Sequence, residues 1–482
     1  MSSGFRLQDS ACVPQRAKSV LVIGGGVAGI AASVALADAG FRVLLLEKRP
    51  LLGGRASSFV DPIVGERVDE CQHGTMRCCT NLADLLERLG VHQQIDYCDT
   101  LEFLEPNGRR SVLRGSPLPA PLHTLPSFLL FRALSLRDKL GIAYALLKIM
   151  RANPRHALWE QQSFAAWLTA MHQTPAAIRR FWRPILVSAC NEELERISCA
   201  YAFFLFQTGF LAHPKAFHFG IPKVPLASLY TEPTQDILRR RGGCVRTRAT
   251  VRRVEVEGKR VEEVVLADGE RLRADWYVLA VQCDLLAHLL PKEVIESDPY
   301  WQRALQIPLA PILGAHFWFD RPLVCPKAVA VLDRRIEWIF HRSLNLGKDP
   351  KQGSCLSVVI SASYPYENME KEPLKALLLE ELTACLPDVA KAQLVHWTLV
   401  RWPKATLSPA PGVEALRPPQ QSPLSNLVVA GEWTQTGWPS TMEGAARSGY
   451  LAARVICHQE GLPCSVPVPD LPKTGLAKWL VR

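Results

Sequence analysis

Apolar positions along the chain change their period several times, and each change marks an element. A run at 19–23 stops at Gly24, an alanine-rich amphipathic stretch at 30–39 ends at Gly40, and a second apolar run resumes at 41–46. This predicts a strand, a helix closed by a C-terminal glycine, and a second strand. The two strands should lie parallel with a right-handed crossover. Between 118 and 150, Pro-rich turns alternate with apolar helix-like segments at 127–133 and 139–150, which predicts a helical insertion. Helical patterning continues at 165–168, 176–187 and 198–210.

From Gly243 the period becomes two. Val251, Val254 and Val256 lead to a turn at Gly258, Val261, Val264 and Leu266 lead to a turn at Asp268-Gly269, and 276–281 is continuously apolar. The pattern predicts an antiparallel meander that returns to the parallel sheet. Further strands are expected at 312–319, 336–341, 356–362 and 393–400, forming a mixed sheet with one face packed and one lining a cavity. A short buried strand at 426–430 stops at Gly431, and a long helix is expected at 441–457. No internal repeat is present.

Composition narrows the class. A chain of 482 residues, 48% hydrophobic and 21% charged, is long enough for two or three domains, since single cores stop growing near ~250–300 residues. The net charge of +10 raises the question of an anionic partner. Its densest cluster, Arg239, Arg240, Arg241, Arg246, Arg248, Arg252 and Arg253, is spread over a predicted helix end and strands, so no nucleic-acid partner is expected. The 14 cysteines form no CxxC pair, and adjacent Cys78 and Cys79 cannot ligate one metal without further ligands; reduced thiols and no structural metal are expected. Residues 1–18 carry charges and a Pro without an apolar core, unlike a secretory signal, and read as a loose tail. No run approaches the ~18 apolar residues of a membrane-spanning helix, which leaves surface attachment open.

Gly24, Gly26 and Gly29 stand between the first predicted strand and helix, and Glu47 ends the second strand. In a dinucleotide site the first glycine permits the tight turn, the second admits the pyrophosphate, and the third lets helix and strand approach. The helix N-terminus supplies amides and positive potential, and Glu47 can accept from both adenosine ribose hydroxyls. The run Arg49-Pro50-Leu51-Leu52-Gly53-Gly54-Arg55 follows at once. It resembles the Arg…Gly-Gly-Arg sequence of the amine-oxidase and carotenoid-desaturase flavoproteins, in which the glycine pair passes close to the cofactor and the arginine meets its phosphates.

A second anchor lies at 427–454. In the same flavoproteins a C-terminal strand ends in Gly-Asp or Gly-Glu, whose carboxylate holds the ribityl chain, and the next helix points its N-terminus at the flavin pyrimidine. Gly431 and Glu432 match the first part, and residues 441–445, with Thr441 and Met442 at their head, match the second. The same helix would also pack by Ala445, Ala446, Ala452 and Ala453. The resemblance implies FAD, with Lys48 and Val251 completing the contact set, and it implies an α/β fold: a Rossmann-like FAD-binding domain (parallel sheet plus β-meander), an interleaved mixed-sheet substrate domain and a helical insertion. The expected division is a flexible tail at 1–18, FAD-binding parts at 19–110, 221–300 and 416–460, a helical, membrane-proximal region at 111–220, a substrate domain at 301–415, and a C-terminal tail at 461–482.

Segments 54–90 and 431–449 are further similar to the squalene-associated group of these flavoproteins, the hydroxysqualene dehydroxylases of hopanoid synthesis. Val68, Asp69, Gln72, His73, Thr80 and Asn81 carry the first match, and Trp433, Thr434, Thr436, Gly437, Pro439, Glu443, Gly444, Arg447, Ser448 and Gly449 the second. Glu70 and Cys71 stand where Asn-Gly is the pattern, and Glu432 where Asp is. The resemblance implies hydride transfer from reduced FAD to the allylic carbon of hydroxysqualene as its hydroxyl leaves as water. That chemistry requires a long apolar tunnel, a proton donor and exclusion of water. His73, Asp69 and Glu443 are the candidate donors, although each also suits a structural role as packing residue, turn tie or helix cap.

Phe203, Phe204, Phe206, Phe210, Phe217 and Phe219 suit a tunnel wall or an ordinary core. The segment 118–150, with Arg132, Arg137, Lys139 and Lys148, is expected to dip into a membrane interface to collect a hydrophobic isoprenoid, placing the protein in the cytoplasm, peripheral on the inner face of the cell membrane. The electron donor is unknown. Competing readings are a carotenoid desaturase or isomerase, an amine oxidase with Trp433 and Trp438 as its aromatic cage, and a lipid escort protein of the same fold; the intact set Gly24, Gly26, Gly29, Glu47 and Glu432 opposes the last.

Overall fold

The alanine-rich stretch after the first strand folds as the helix Val27–Asp38, three residues earlier than its periodicity predicts, because the start lies within the glycine-rich turn. All but its last residue are buried, so it is apolar all round instead of amphipathic. It lies between the first sheet and the helices Met442–Gln459 and Leu226–Arg240. Small side chains permit this close packing: a Cβ at Gly449 would stand 2.1 Å from the Ala28 carbonyl oxygen. The computed structural model describes residues 17–349, 351 and 353–482. Most of the tail expected at 1–18 therefore lies outside the described residues.

The first sheet contains five parallel strands in the spatial order Cys244–Arg246, Arg42–Leu46, Ser19–Ile23, Trp276–Leu279 and Leu427–Val429. Three distant stretches of chain thus build one nucleotide-binding sheet. The meander Val251–Glu257, Arg260–Leu266 and Arg271–Leu272 forms its own three-stranded sheet and leads into Trp276–Leu279, as the alternation predicts.

The second sheet has seven strands in the order Leu394–Leu407, Leu309–Phe319, Ser354–Ser361, Trp338–His341, Ala328–Val331, Thr100–Leu104 and Arg110–Arg114. It is antiparallel except where Ala328–Val331 meets Thr100–Leu104. The hairpin at 100–114 therefore belongs to this sheet, and the boundary expected at 110 cuts through it. Ser354–Ser361 is buried along its whole length, so it does not alternate between a packed and a cavity-lining face. Leu374, Leu378 and Leu382 of the helix Lys371–Cys385 share a core with its apolar side chains. On the neighbouring strand His316 donates from Nε2 to the Asp69 carbonyl (2.9 Å) and accepts at Nδ1 from Ser357 Oγ (2.6 Å), locking the sheet to the nucleotide lobe.

The insertion is helical. Its longest helix, Leu136–Arg151, starts at a capping box of Ser135 and Asp138. The helix expected at 176–187 is broken into Pro175–Ala177, a wide turn at Ile178–Trp182, and Arg183–Cys190. Pro184 has no amide to donate, which explains the break in ordinary helical pairing beside it. Phe203, Phe206, Phe210 and Phe217 are buried with Phe164, Trp167 and Trp182 and form ordinary core. The C-terminal tail at 461–482 is packed onto the insertion. Ala477 and Val481 are buried, the Ala477 amide donates to Ala120 (2.9 Å), and the Arg482 amide donates to Met150 (2.8 Å).

Two buried histidines set an acid limit. Burial, with the Arg342 charge, pushes His316 down from 6.5 to about 3, and burial beside His213 and His218 pushes His123 to about 4. Depressed in the folded state, each contributes stability that is complete above 6.5 and is lost as pH falls toward the folded value. Each unit corresponds to ~1.4 kcal/mol. Thermal melts should therefore show falling stability from pH 6.5 downward, with a shallower slope in His123→Phe; an identical slope would refute the assignment.

Candidate functional site

The first strand runs into Gly24, whose φ of 108° makes the turn that other residues rarely adopt. A Cβ there would meet the Ala280 carbonyl oxygen at 2.4 Å, and one at Gly29 would meet the Gly24 carbonyl oxygen at 1.9 Å. These two glycines are required by the protein's own packing. Gly26 is different: among the described residues, its chain neighbours aside, the only atom within 4 Å of a Cβ built there is the Gly54 Cα, at 3.9 Å. The turn of Gly53 and Gly54 lies against this loop, with a bridge between Gly26 and Gly53 and a Gly53 amide bond to Gly25 (2.8 Å).

Gly26 also caps the helix Val27–Asp38 without any side-chain hydrogen bond, which leaves the helix end open to an anion. Glu47 is buried at the end of its strand and accepts from the Gly25 amide (2.7 Å) and the Arg49 amide (2.9 Å). An open, glycine-lined helix terminus with a carboxylate on its rim fits a dinucleotide pyrophosphate and its ribose. Lys48 is exposed, and Val251 is half-buried at the head of the meander.

Gly431 and Glu432 follow the fifth strand directly. Arg55 donates to Glu432 (2.6 Å) and to the Ala405 carbonyl, so the two anchors expected at the cofactor's phosphates and ribityl chain touch. His73 is half-buried beside them. Its Nδ1 lies 2.7 Å from the Cys71 carbonyl and donates to it, which leaves Nε2 without a proton; burial and the nearby Arg55 charge hold the imidazole below its ordinary value. Of the three candidate donors, His73 alone stands by this group.

The other two carboxylates are enclosed. Asp69 accepts from Ser58 Oγ (2.7 Å) and the Leu226 amide (2.9 Å), tying the strand Arg67–Asp69 to the helix Leu226–Arg240. Glu443 accepts from the Asn81 amide (3.2 Å), its side chain (2.9 Å) and the Leu82 amide (2.7 Å), and pairs with Arg447 (3.2 Å). It caps the helix Thr80–Arg88 rather than its own. Burial raises both carboxyls above their ordinary range, but neither has an edge turned toward the Arg55 and Glu432 group in its contacts. Thr441 caps Met442–Gln459 by accepting the Gly444 amide (3.1 Å), so this first-turn amide is taken by the protein itself.

Trp433 and Trp438 do not form an open aromatic cage. Both are buried, with their indole N–H groups donating to the Val281 carbonyl (2.8 Å) and to Asp470 (3.2 Å). The departures at 70 and 71 are accommodated locally. Cys71 packs at Gly314, where a Cβ would stand 2.8 Å from its sulfur, and burial pushes its thiol up to about 12. Glu70 accepts from Arg49 (2.7 Å) and Trp402 (3.1 Å), and Arg49 stacks on the Trp402 ring at 5.0 Å.

Two features escaped the sequence reading. One is this Arg49, Glu70 and Trp402 group. The other is Arg417, a fully buried arginine that hydrogen-bonds the loop after Glu432. The available signal was a single cation in 413–419, three residues after Glu414 and followed by two prolines. Among the described residues no His, Cys, Asp or Glu group is arranged to hold a metal.

A parallel sheet with an open glycine-lined helix terminus, an acidic rim and a second anchor from the far end of the chain defines a dinucleotide-dependent oxidoreductase. Residues 27–457 match the model of the family described as flavin containing amine oxidoreductase, and the chain belongs to that family; FAD is its cofactor. The chain is similar to zeta-carotene desaturase of Synechocystis sp., 26% identical over 91% of this chain and 96% of that protein. It is also similar to 15-cis-phytoene desaturase of Solanum lycopersicum, 25% identical over 95% and 80%. Among solved structures, an oxidoreductase from Methanosarcina mazei shares the fold with a TM-score of 0.70, 16% identity, and coverage of 91% of this chain and all of that one.

Proposed function

We propose that this enzyme acts on a long-chain isoprenoid, and that its reaction is the reductive dehydroxylation of hydroxysqualene to squalene. The observation that carries the finer reading is the meeting of two matched segments. Asn81 and Glu443, each picked out by the resemblance to the squalene-associated group, are hydrogen-bonded partners 362 positions apart. The second reading is desaturation of a carotene precursor, and the names of the similar proteins favour it over the first. Stacked Phe219 and Trp338, centroids 5.4 Å apart and both half-buried, suit either substrate, because Phe219 abuts Gly74 next to His73.

Bound FAD supplies hydride chemistry in either direction. Arg55 and Glu432 orient it, and His73 handles the proton. Dehydroxylation needs a proton for the departing hydroxyl, and His73 provides one only as imidazolium. Since its folded value lies below 6.5, the dehydroxylation rate should rise as pH falls through that range, and His73→Gln should flatten the profile. The test offers photoreduced enzyme hydroxysqualene without oxygen, and oxidised enzyme phytoene or zeta-carotene. Squalene formation with flavin reoxidation supports the first reading; flavin reduction by the polyene, without squalene, replaces it by the second.

We further infer that the enzyme works at the inner surface of the cell membrane. Leu136, Leu140, Tyr144 and Leu147, spaced four, four and three along one helix, face outward at 69%, 64%, 50% and 50% exposure. Ile142, Ala145 and Ile149 occupy its inner face. Leu130 and Trp479, 78% and 88% exposed, stand on adjoining segments, and Arg137, Lys148 and Arg151 flank the stripe. Lys139 is not part of this basic rim, because it caps the preceding helix at Leu129 (2.6 Å). Exposed leucines among cations suit an anionic lipid surface, and each buried leucine contributes ~1.5–3 kcal/mol. The triple change of Leu136, Leu140 and Leu147 to Ser should lower sedimentation with phosphatidylglycerol vesicles at least about tenfold and leave flavin content unchanged. Equal sedimentation would exclude this surface.

A further inference from the structure

Arg417 is only 1% exposed, and its guanidinium meets six acceptors. Nε donates to the Thr434 carbonyl (2.9 Å). Nη2 donates to the Glu432 carbonyl (2.9 Å) and Thr436 Oγ1 (2.9 Å). Nη1 donates to the Trp438 carbonyl (3.0 Å), Tyr201 Oη (2.7 Å) and Glu414 Oε1 (2.6 Å). Three of these acceptors are main-chain carbonyls of the segment 432–438. That segment begins at the carboxylate paired with Arg55 and leads to the helix capped by Thr441. Gly437 has a φ of 71° and the segment lacks regular structure. Its other ties are narrower: Gln420 donates to Thr434 Oγ1 (2.8 Å) and the Gln435 carbonyl (3.0 Å), and the Trp433 and Trp438 indoles donate outward. Among the described residues Arg417 alone reaches 432, 434, 436 and 438 together.

We propose that Arg417 is the positioning residue of the flavin end of the site. By pinning both ends and the middle of 432–438, it fixes where the Glu432 carboxylate and the N-terminus of Met442–Gln459 stand relative to the isoalloxazine ring. It acts through these groups and not by touching the adenine end. A planar fork spreads five donors over three nitrogens in fixed directions and so reaches well-separated carbonyls, whereas an ammonium gathers its three donors on one nitrogen at the end of a flexible stem. Tyr201 extends the device: it lies on Cys199–Phe206 of the helical insertion and bonds both Arg417 and Glu414. The flavin-edge loop is thereby joined to the lobe that carries the exposed leucine stripe.

The test separates positioning from general support. Full-length protein freed of flavin is titrated with FAD and, separately, with ADP, which has the adenosine and pyrophosphate but lacks the ribityl chain and isoalloxazine ring. Arg417→Gln and Arg417→Lys should each weaken FAD at least about tenfold, the loss of one charged hydrogen bond, and leave ADP affinity unchanged. The midpoint potential and the visible band of the reconstituted flavin should move in both. Tyr201→Phe removes one partner without leaving a carbonyl unpaired, and should shift the same quantities in the same direction by less. If Arg417→Gln does not fold, Arg417→Lys and Tyr201→Phe carry the test. Parallel loss of FAD and ADP affinity, or unchanged FAD affinity and potential in the folded variants, would overturn the proposal.

Discussion

Gly26→Val is expected to fold as the parent does and to be purified without flavin. A Cβ at this position meets nothing closer than 3.9 Å among the described residues, where the Gly54 Cα stands, so the branch point itself displaces no backbone and no core contact is lost. The residue caps the helix Val27–Asp38 with φ −71° and ψ 173°, an extended conformation that valine adopts readily. What valine fills is the space between the helix terminus and the turn of Gly53 and Gly54. A dinucleotide needs that space, because its pyrophosphate is held by main-chain amides at close range. The expected result is a melting temperature within a few degrees of the parent and FAD affinity reduced by at least about a hundredfold, or ~2.7 kcal/mol. Absorbance in the visible flavin band after dialysis against FAD measures it directly. A yellow Gly26→Val protein would remove this glycine from the site.

Gly449→Val is expected to fail at an earlier stage. Its Cβ would stand 2.1 Å from the Ala28 carbonyl oxygen and 2.8 Å from the Ala32 amide nitrogen. Both are main-chain atoms of a helix buried on all sides, so neither can swing away as a side chain could. Relief requires separating Met442–Gln459 from Val27–Asp38, and with it the C-terminal cofactor anchor from the glycine loop. Overpacking of side chains costs ~1–3 kcal/mol, and a backbone clash belongs at or above the upper end. Most of the variant should appear in the insoluble fraction, and any soluble part should melt far below the parent. Wild-type melting would mean that the two helices lie further apart than described.

The contrast between these two glycines also shows what the sequence could disclose. Gly24, Gly26, Gly29 and Glu47 were legible because a short stretch of chain builds the turn, the helix start and the acidic rim together. Gly431 and Glu432 were legible through a resemblance in which their spacing to the next helix is local. The interleaving of the lobes was less so: strands at 100–114 pair with a partner at 328–331, and nothing in their alternation names it. Burial hides in the same way. Asp69, His73 and Glu443 all offer a proton on paper, with His73 foremost, and only folding encloses the two carboxylates in amide contacts from remote helices. Arg417 was invisible as a site residue because its acceptors include Tyr201, 216 positions away, and carbonyl groups that carry no side-chain signature. Trp433 and Trp438 drew attention for their chemistry and proved to be packing residues with satisfied N–H groups.

The assembly of the nucleotide sheet from strands at 19–46, 244–279 and 427–429 has a consequence for the life of the protein. A chain emerging from the ribosome displays its glycine loop early, yet the carboxylate and helix that complete the berth follow only at Glu432 and Met442–Gln459. Cofactor capture must therefore wait until that distant stretch has been made and has folded back onto the loop.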